Sequence, residues 1–127
     1  MTARTKILVV DDDPDILRLV ESILTGHGYE VTSAPNGRKA LELLRGGLVP
    51  CLILIDLEMP VMGGQELRAE LTRNPSTRDI PVVMTSASRE NLDQLGASLS
   101  RLEKPFNIPD LIRAVEEHCS PVPRGWE

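Results

Sequence analysis

Apolar residues follow two rhythms along this chain. In three stretches they run on consecutive positions: Ile7-Leu8-Val9-Val10 after Lys6, Cys51-Leu52-Ile53-Leu54-Ile55 leading into Asp56, and Val82-Val83-Met84 leading into Thr85. Such runs predict strands covered on both faces. Shorter strands are predicted over 29–33 and 99–103. Between them the spacing turns helical. Ile16, Leu19, Val20 and Ile23 follow Asp13-Pro14, which reads as an N-cap and a proline in the first turn, and Gly26 and Gly28 stop that helix. Asn36 caps a second helix, with Ala40, Leu41, Leu43 and Leu44 on its apolar side and Gly46-Gly47 at its end. A third, over 65–72, carries a thin stripe of Leu67 and Leu71, and residues 91–95 give a weak signal for a short fourth. Asn107, with Asp110 three residues on, opens a last helix lined by Ile108, Leu111, Ile112 and Val115.

Strands alternating with helices of this size predict βα units and a parallel sheet. Right-handed crossovers put helices on both faces, and sites form beyond the carboxyl ends of the strands. The polar residues collect there: Asp11, Asp12 and Asp13, then Asp56, then Thr85 and Ser86, then Lys104 and Pro105. Carboxylates crowded into one crevice repel each other, so one must hold a proton or a cation must bind. Magnesium suits an open, all-oxygen site, and a lysine with a hydroxyl completes a set that can hold a phosphoryl group.

Composition narrows this picture. A chain of 127 residues fits one domain, expected over 5–119, with a short tail at 120–127 rich in proline and expected to be disordered. Only Tyr29, Phe106 and Trp126 are aromatic, so the core is aliphatic and no stacking platform for single-stranded nucleic acid exists. The net charge of −5 argues against direct nucleic-acid binding and fits a cation or a basic partner. No apolar run approaches the roughly 20 residues of a membrane helix, so no membrane insertion is expected. The opening MTARTK leads straight into strand pattern, without a signal peptide. Cys51 and Cys119 form no metal pattern and are expected as two free thiols in a reducing cytoplasm. His27 and His118 have neither a nucleophile nor a metal pattern around them.

Four segments together, ILVVDDDPDIL at 7–17, LILIDLEMPVMGG at 52–64, PVVMTSA at 81–87 and EKPF at 103–106, resemble the receiver domain of two-component response regulators, the chemotaxis-regulator fold. The resemblance spans about Lys6 to His118. It implies an α/β fold: a five-stranded parallel sheet in the order 2-1-3-4-5, a flavodoxin-like three-layer sandwich. It also implies roles. Asp56 matches the phospho-acceptor. Asp12 would ligate Mg2+ directly and Asp11 through water, with Asp56 and the backbone carbonyl of Glu58 as further ligands. Ser86 matches the hydroxyl that, with Lys104, stabilises the phosphoryl group, and Ala87 leaves room for it. Glu58 and Ser88 border the acceptor, where side chains modulate hydrolysis. A cis bond is implied between Lys104 and Pro105. Asp13 is read as a helix cap only.

The implied function is that of a cytoplasmic signalling module. It would take a phosphoryl group from the phosphohistidine of a sensor histidine kinase, or from a histidine phosphotransfer protein, onto Asp56 with Mg2+. It would then signal to an unidentified downstream protein through altered protein contacts, modifying itself rather than turning over a small substrate. No output domain is read in the nine residues after His118. Two departures touch the output side. Only 18 positions separate Ser86 from Lys104, fewer than is usual for the family, so the fourth helix should be shortened or irregular. Arg101 stands where many receivers carry an aromatic that swings inward, and an arginine cannot bury so without a partner. Competing readings are a receiver-fold scaffold that docks a partner independently of phosphorylation, a magnesium-dependent phosphatase with an aspartyl nucleophile, and a flavodoxin. The phosphatase lacks a cap domain, and the acidic turn after the first strand opposes a flavin phosphate cradle.

Overall fold

A computed structural model describes residues 5–96 and 99–120. Five strands and five helices alternate in chain order: β1 (Lys6–Val10), α1 (Pro14–Gly26), β2 (Glu30–Ala34), α2 (Gly37–Arg45), β3 (Leu52–Asp56), α3 (Gly64–Arg73), β4 (Val82–Ser86), α4 (Arg89–Asp93), β5 (Ser100–Glu103) and α5 (Ile108–Glu116). All strand pairs are parallel, in the order β2-β1-β3-β4-β5. The tail expected to be disordered lies, from Pro121 on, outside the described residues.

The consecutive apolar runs are explained by the alternation of side chains across a strand. Leu8, Val10, Ile53, Ile55 and Met84 pack on one face with Ala40, Leu41 and Leu44 of α2, Leu67 and Leu71 of α3 and Leu92 of α4. Ile7, Val9, Leu52, Leu54 and Val83 pack on the other with Val20 and Leu24 of α1 and Leu111 and Val115 of α5. Each of the central strands therefore needs apolar residues on consecutive positions through its buried middle. Two residues assigned to apolar helix faces stay half exposed instead, Leu19 at 52% and Ile108 at 50%.

The helix starts follow local chemistry. The Asp13 carboxylate accepts the Asp15 N–H, Asn36 accepts from Lys39, Ser88 from Asn91 and Asn107 from Asp110. α4 has five residues, in line with the shortened fourth helix expected.

The expectation of two free thiols is overturned. Cys51 and Cys119 are joined as a disulfide, with Cα atoms 5.6 Å apart across a sequence separation of 68. Cys51 sits beside β1, its N–H bonded to the Lys6 carbonyl at 2.8 Å, and Cys119 closes the last turn after α5 at the same end of the sheet.

Candidate functional site

The strand register aligns the polar strand ends. Val10 pairs with Ala34 and Ile55, Asp56 with Thr85, and Ser86 with Glu103. Asp11, Asp56, Ser86 and Lys104 therefore emerge at one edge of the sheet. Two backbone bonds extend the ladder past the strands: Asp11 N–H to the Ala34 carbonyl at 3.1 Å, and Lys104 N–H to the Ser86 carbonyl at 2.8 Å. The Lys104–Pro105 peptide is cis, as the resemblance implied.

Three carboxylates converge. Oxygens of Asp11, Asp12 and Asp56 lie within 4.8 Å of one another, with Asp11 and Asp56 buried and Asp12 exposed. Among the described residues no other group of three or more His, Cys, Asp or Glu side chains does so. The donors are hard oxygens with an open side toward Asp12, which fits a small divalent cation such as Mg2+. Lys104 reaches into the same space. Its Nζ is 2.6 Å from Asp11 Oδ2 and 3.4 Å from Asp56 Oδ1. Asp11 also accepts the Asp13 N–H at 3.0 Å, which fixes its carboxylate against the turn into α1.

The electrostatics follow from this packing. Burial, then the Asp11 charge, push the Asp56 carboxyl from its ordinary 3.8 up to about 7, against the pull of Lys104; Glu58 adds a smaller upward push. Burial alone would lower the Lys104 ammonium, but its bond to Asp11 and the charges of Asp11 and Asp56 hold it above its ordinary range.

Gly64, at the start of α3, permits the close approach behind the acceptor. A Cβ there would stand 2.6 Å from the Asp56 carbonyl oxygen and 2.9 Å from Leu57 Cα. The loop before it contains Val61 at φ +71°.

Ser86 is fully buried at the end of β4, but its hydroxyl is turned to Glu58: it lies 2.8 Å from both carboxylate oxygens. Ser86 Oγ also accepts the Ser88 N–H at 2.9 Å. The Glu58 side chain takes a further bond from Asn91 Nδ2 at 2.8 Å. Ser88 is the N-cap of α4, and Ala87 is exposed beside it. Thr85, the neighbour most easily confused with Ser86, faces the Ile55 carbonyl at 3.5 Å.

Arg101 finds the partners that its partial burial requires. Its guanidinium donates to the Leu92 carbonyl at 2.6 Å and to the Gly96 carbonyl, and lies 3.8 Å from Asp93. Asn91 and this capping role of Arg101 were not singled out from the sequence; the only local signal was the Ser88-to-Asn91 cap spacing. The two histidines lie elsewhere: His27 Nδ1 is 2.9 Å from the Ile23 carbonyl at the end of α1, and His118 follows α5 with a buried, unpartnered Nε2.

Comparison with known proteins agrees with this geometry. The sequence profile described as "Response regulator receiver domain" matches residues 7–116. An uncharacterised 14.6 kDa protein of Leptolyngbya boryana is 38% identical over 95% of both chains. The structure of the Vibrio cholerae chemotaxis protein CheY4 superposes with a TM-score of 0.80 at 31% identity, covering 91% of this chain and 99% of that one. That of the Thermotoga maritima response regulator TrrA, in complex with Mg2+-BeF, gives 0.76 at 32%, covering 89% and 97%. Among longer curated relatives the chain spans from 21% to 49% of their length. With the sheet order, the carboxylate cluster and these matches in agreement, the chain belongs to the response regulator receiver domain family of two-component signalling.

Proposed function

We propose that this protein accepts a phosphoryl group on Asp56 from the phosphohistidine of a sensor kinase or a histidine phosphotransfer protein. The observation that carries the reading is the convergence of Asp11, Asp12 and Asp56 within 4.8 Å, with the Lys104 ammonium among them. An Asp56 oxygen attacks phosphorus in line, the P–N bond breaks, and the imidazole nitrogen keeps the electron pair and takes a proton from solvent. Water later attacks the aspartyl phosphate, inorganic phosphate leaves, and the carboxylate is restored.

Receiver domains bind Mg2+ at an acidic pocket of this kind. Here Asp12, Asp56 and the Glu58 backbone carbonyl would hold the ion directly and Asp11 through water. The ion supplies charge neutralisation to the phosphoryl oxygens in flight. Lys104 would add a positive charge to the same space, and Ser86 a hydroxyl donor. Ala87, small and exposed at the end of β4, would leave room for the transferred group.

An apolar groove of about 460 Å³ opens between α1 and the start of α5, lined by Leu19, Ile23, Phe106, Ile108 and Leu111. It offers a phosphodonor protein a surface to dock on. Among the described residues no helix is long and apolar enough to cross a membrane.

The test is incubation with acetyl phosphate, with and without Mg2+, read by intact mass, with Asp56→Asn alongside. The expected result is a Mg2+-dependent gain of one phosphoryl group that the variant lacks. No gain from acetyl phosphate or from a phosphorylated histidine phosphotransfer domain would overturn the reading and leave a scaffold that docks its partner unmodified.

A further inference from the structure

The Ser86 hydroxyl has one proton, and that proton is committed. The side chain is fully buried, and its Oγ lies 2.8 Å from both Glu58 carboxylate oxygens while accepting the Ser88 N–H at 2.9 Å. No proton remains for an oxygen on Asp56 unless the bond to Glu58 breaks. The same carboxylate holds Asn91 Nδ2 at 2.8 Å. Glu58 therefore joins the strand that carries the hydroxyl to the helix behind it.

That helix cannot stand alone. α4 is five residues, far below the length at which an isolated helix forms, and it buries one large side chain, Leu92. Side chains hold it at both ends. At its start, Ser88 caps the Asn91 N–H at 3.1 Å and Asn91 reaches Glu58. At its end, Arg101 binds the carbonyls of Leu92 and Gly96 and pairs with Asp93. Arg101 comes from β5, so this end is tied to the sheet, whereas the Asn91 contact depends on where Glu58 lies.

We infer that the Glu58 side chain is a latch: it withholds the Ser86 hydroxyl from Asp56 and, through Asn91, converts release of that hydroxyl into release of the N-terminal end of α4. The inference rests on the reading of Asp56 as acceptor. Two effects open the latch. A phosphoryl oxygen on Asp56 competes for the Ser86 proton as a charged acceptor, and its negative charge repels the Glu58 carboxylate two residues away. Once Glu58 leaves, Asn91 loses its partner and α4 pivots on Arg101, which stays in place. The arginine thus serves as a fixed pin where an inward-swinging aromatic would otherwise transmit the change.

The test combines labelling rate with amide exchange on the full chain, using acetyl phosphate with Mg2+ for the rate and beryllofluoride with Mg2+ as the stable phosphoryl mimic. In the wild type, beryllofluoride should speed hydrogen exchange over residues 89–96 by tenfold or more. Glu58→Ala, on an exposed side chain, should label several-fold faster and show the fast exchange without beryllofluoride. Glu58→Gln, which keeps one carbonyl oxygen but not the charge, should fall between. Asn91→Ala should label at the wild-type rate yet exchange fast at 89–96 from the outset. Labelling of Asp56 with no change in exchange over 89–96, or Glu58→Ala labelling at the wild-type rate, overturns the latch and leaves the acceptor reading intact. No labelling and no beryllofluoride binding in the wild type overturns both.

Discussion

The Lys104 ammonium stands nearer to Asp11, at 2.6 Å, than to Asp56, at 3.4 Å. The lysine is therefore chiefly the partner of the buried Asp11 carboxylate, and it only leans toward Asp56, the proposed acceptor. A phosphoryl group on Asp56 would bring charged oxygens to the far side of the same ammonium and draw it across. Lys104→Met should slow labelling by acetyl phosphate about 100-fold, the scale of removing one preorganised electrostatic contact. Because Lys104 pulls the Asp56 carboxyl down, the variant should also move the labelling pH profile upward. Labelling time courses at several pH values check both, and an unchanged rate would remove Lys104 from the chemistry.

The raised Asp56 carboxyl makes stability depend on pH in a defined direction. Folding moves it from its ordinary 3.8 to about 7. Between those values the folded chain binds the proton more than the unfolded chain does. Its contribution is complete below about pH 4 and is lost as pH rises toward 7. Asp56→Asn, a neutral isostere, should match the wild type near pH 4 and be more stable at pH 8, by at most about 4 kcal/mol. Mg2+ held by Asp56 would favour the ionised form, so its protection against heat should grow from pH 6 to pH 8. Denaturant melts across pH give the comparison; parallel curves for the two proteins would contradict it.

Val61 holds φ at +71° and is 67% exposed. A β-branched side chain is poorly suited to this region, and here no buried packing compensates. Val61→Asn should stabilise the fold by about 1 kcal/mol, seen as a rise of a few degrees in Tm with the labelling rate unchanged. A fall in Tm would mean that the exposed valine makes a contact that matters.

The Cys51–Cys119 bond closes a loop across a separation of 68 residues. On the chain-entropy estimate this restricts the unfolded state by about 4 kcal/mol, as an upper figure. Reduction by dithiothreitol, or Cys51→Ser with Cys119→Ser, should lower the denaturation midpoint accordingly. Alkylation of thiols in intact cells before lysis reads the bond where the protein works. Two alkylated cysteines would show it open there, as a reducing compartment favours.

The strands were legible because burial on both faces demands apolar residues on consecutive positions of β1, β3 and β4, up to their polar ends. The helix starts were legible because Asp13, Asn36 and Asn107 bond backbone N–H groups only two or three residues ahead. α4 gave little signal because what holds it is not local. Its pins are Glu58, 33 residues before Asn91, and Arg101, nine residues after Leu92. The disulfide was hidden for a similar reason. It depends on the chain entering β3 beside the end of α5, a proximity that no spacing between two cysteines records. At the site, the segments marked Asp11, Asp12, Asp56, Ser86 and Lys104 as neighbours. The direction of the Ser86 hydroxyl, toward Glu58, depends on side-chain geometry that sequence does not carry.

The bond between Cys51 and Cys119 also divides the chain into a ring and an arm. Asp56, Glu58, Ser86, Asn91, Arg101 and Lys104 all ride on the ring. Asp11 and Asp12 ride on the arm, which contributes β1, α1, β2 and α2. If the arm peels from the sheet, the proposed acceptor and its lysine remain tethered within a fixed circumference, while two of the three carboxylates that would hold the cation, Asp11 and Asp12, depart together. Such a half-opened molecule would keep the proposed acceptor and lose part of the set proposed to hold the metal for loading it. Phosphorylation would then report that both parts of the chain are assembled.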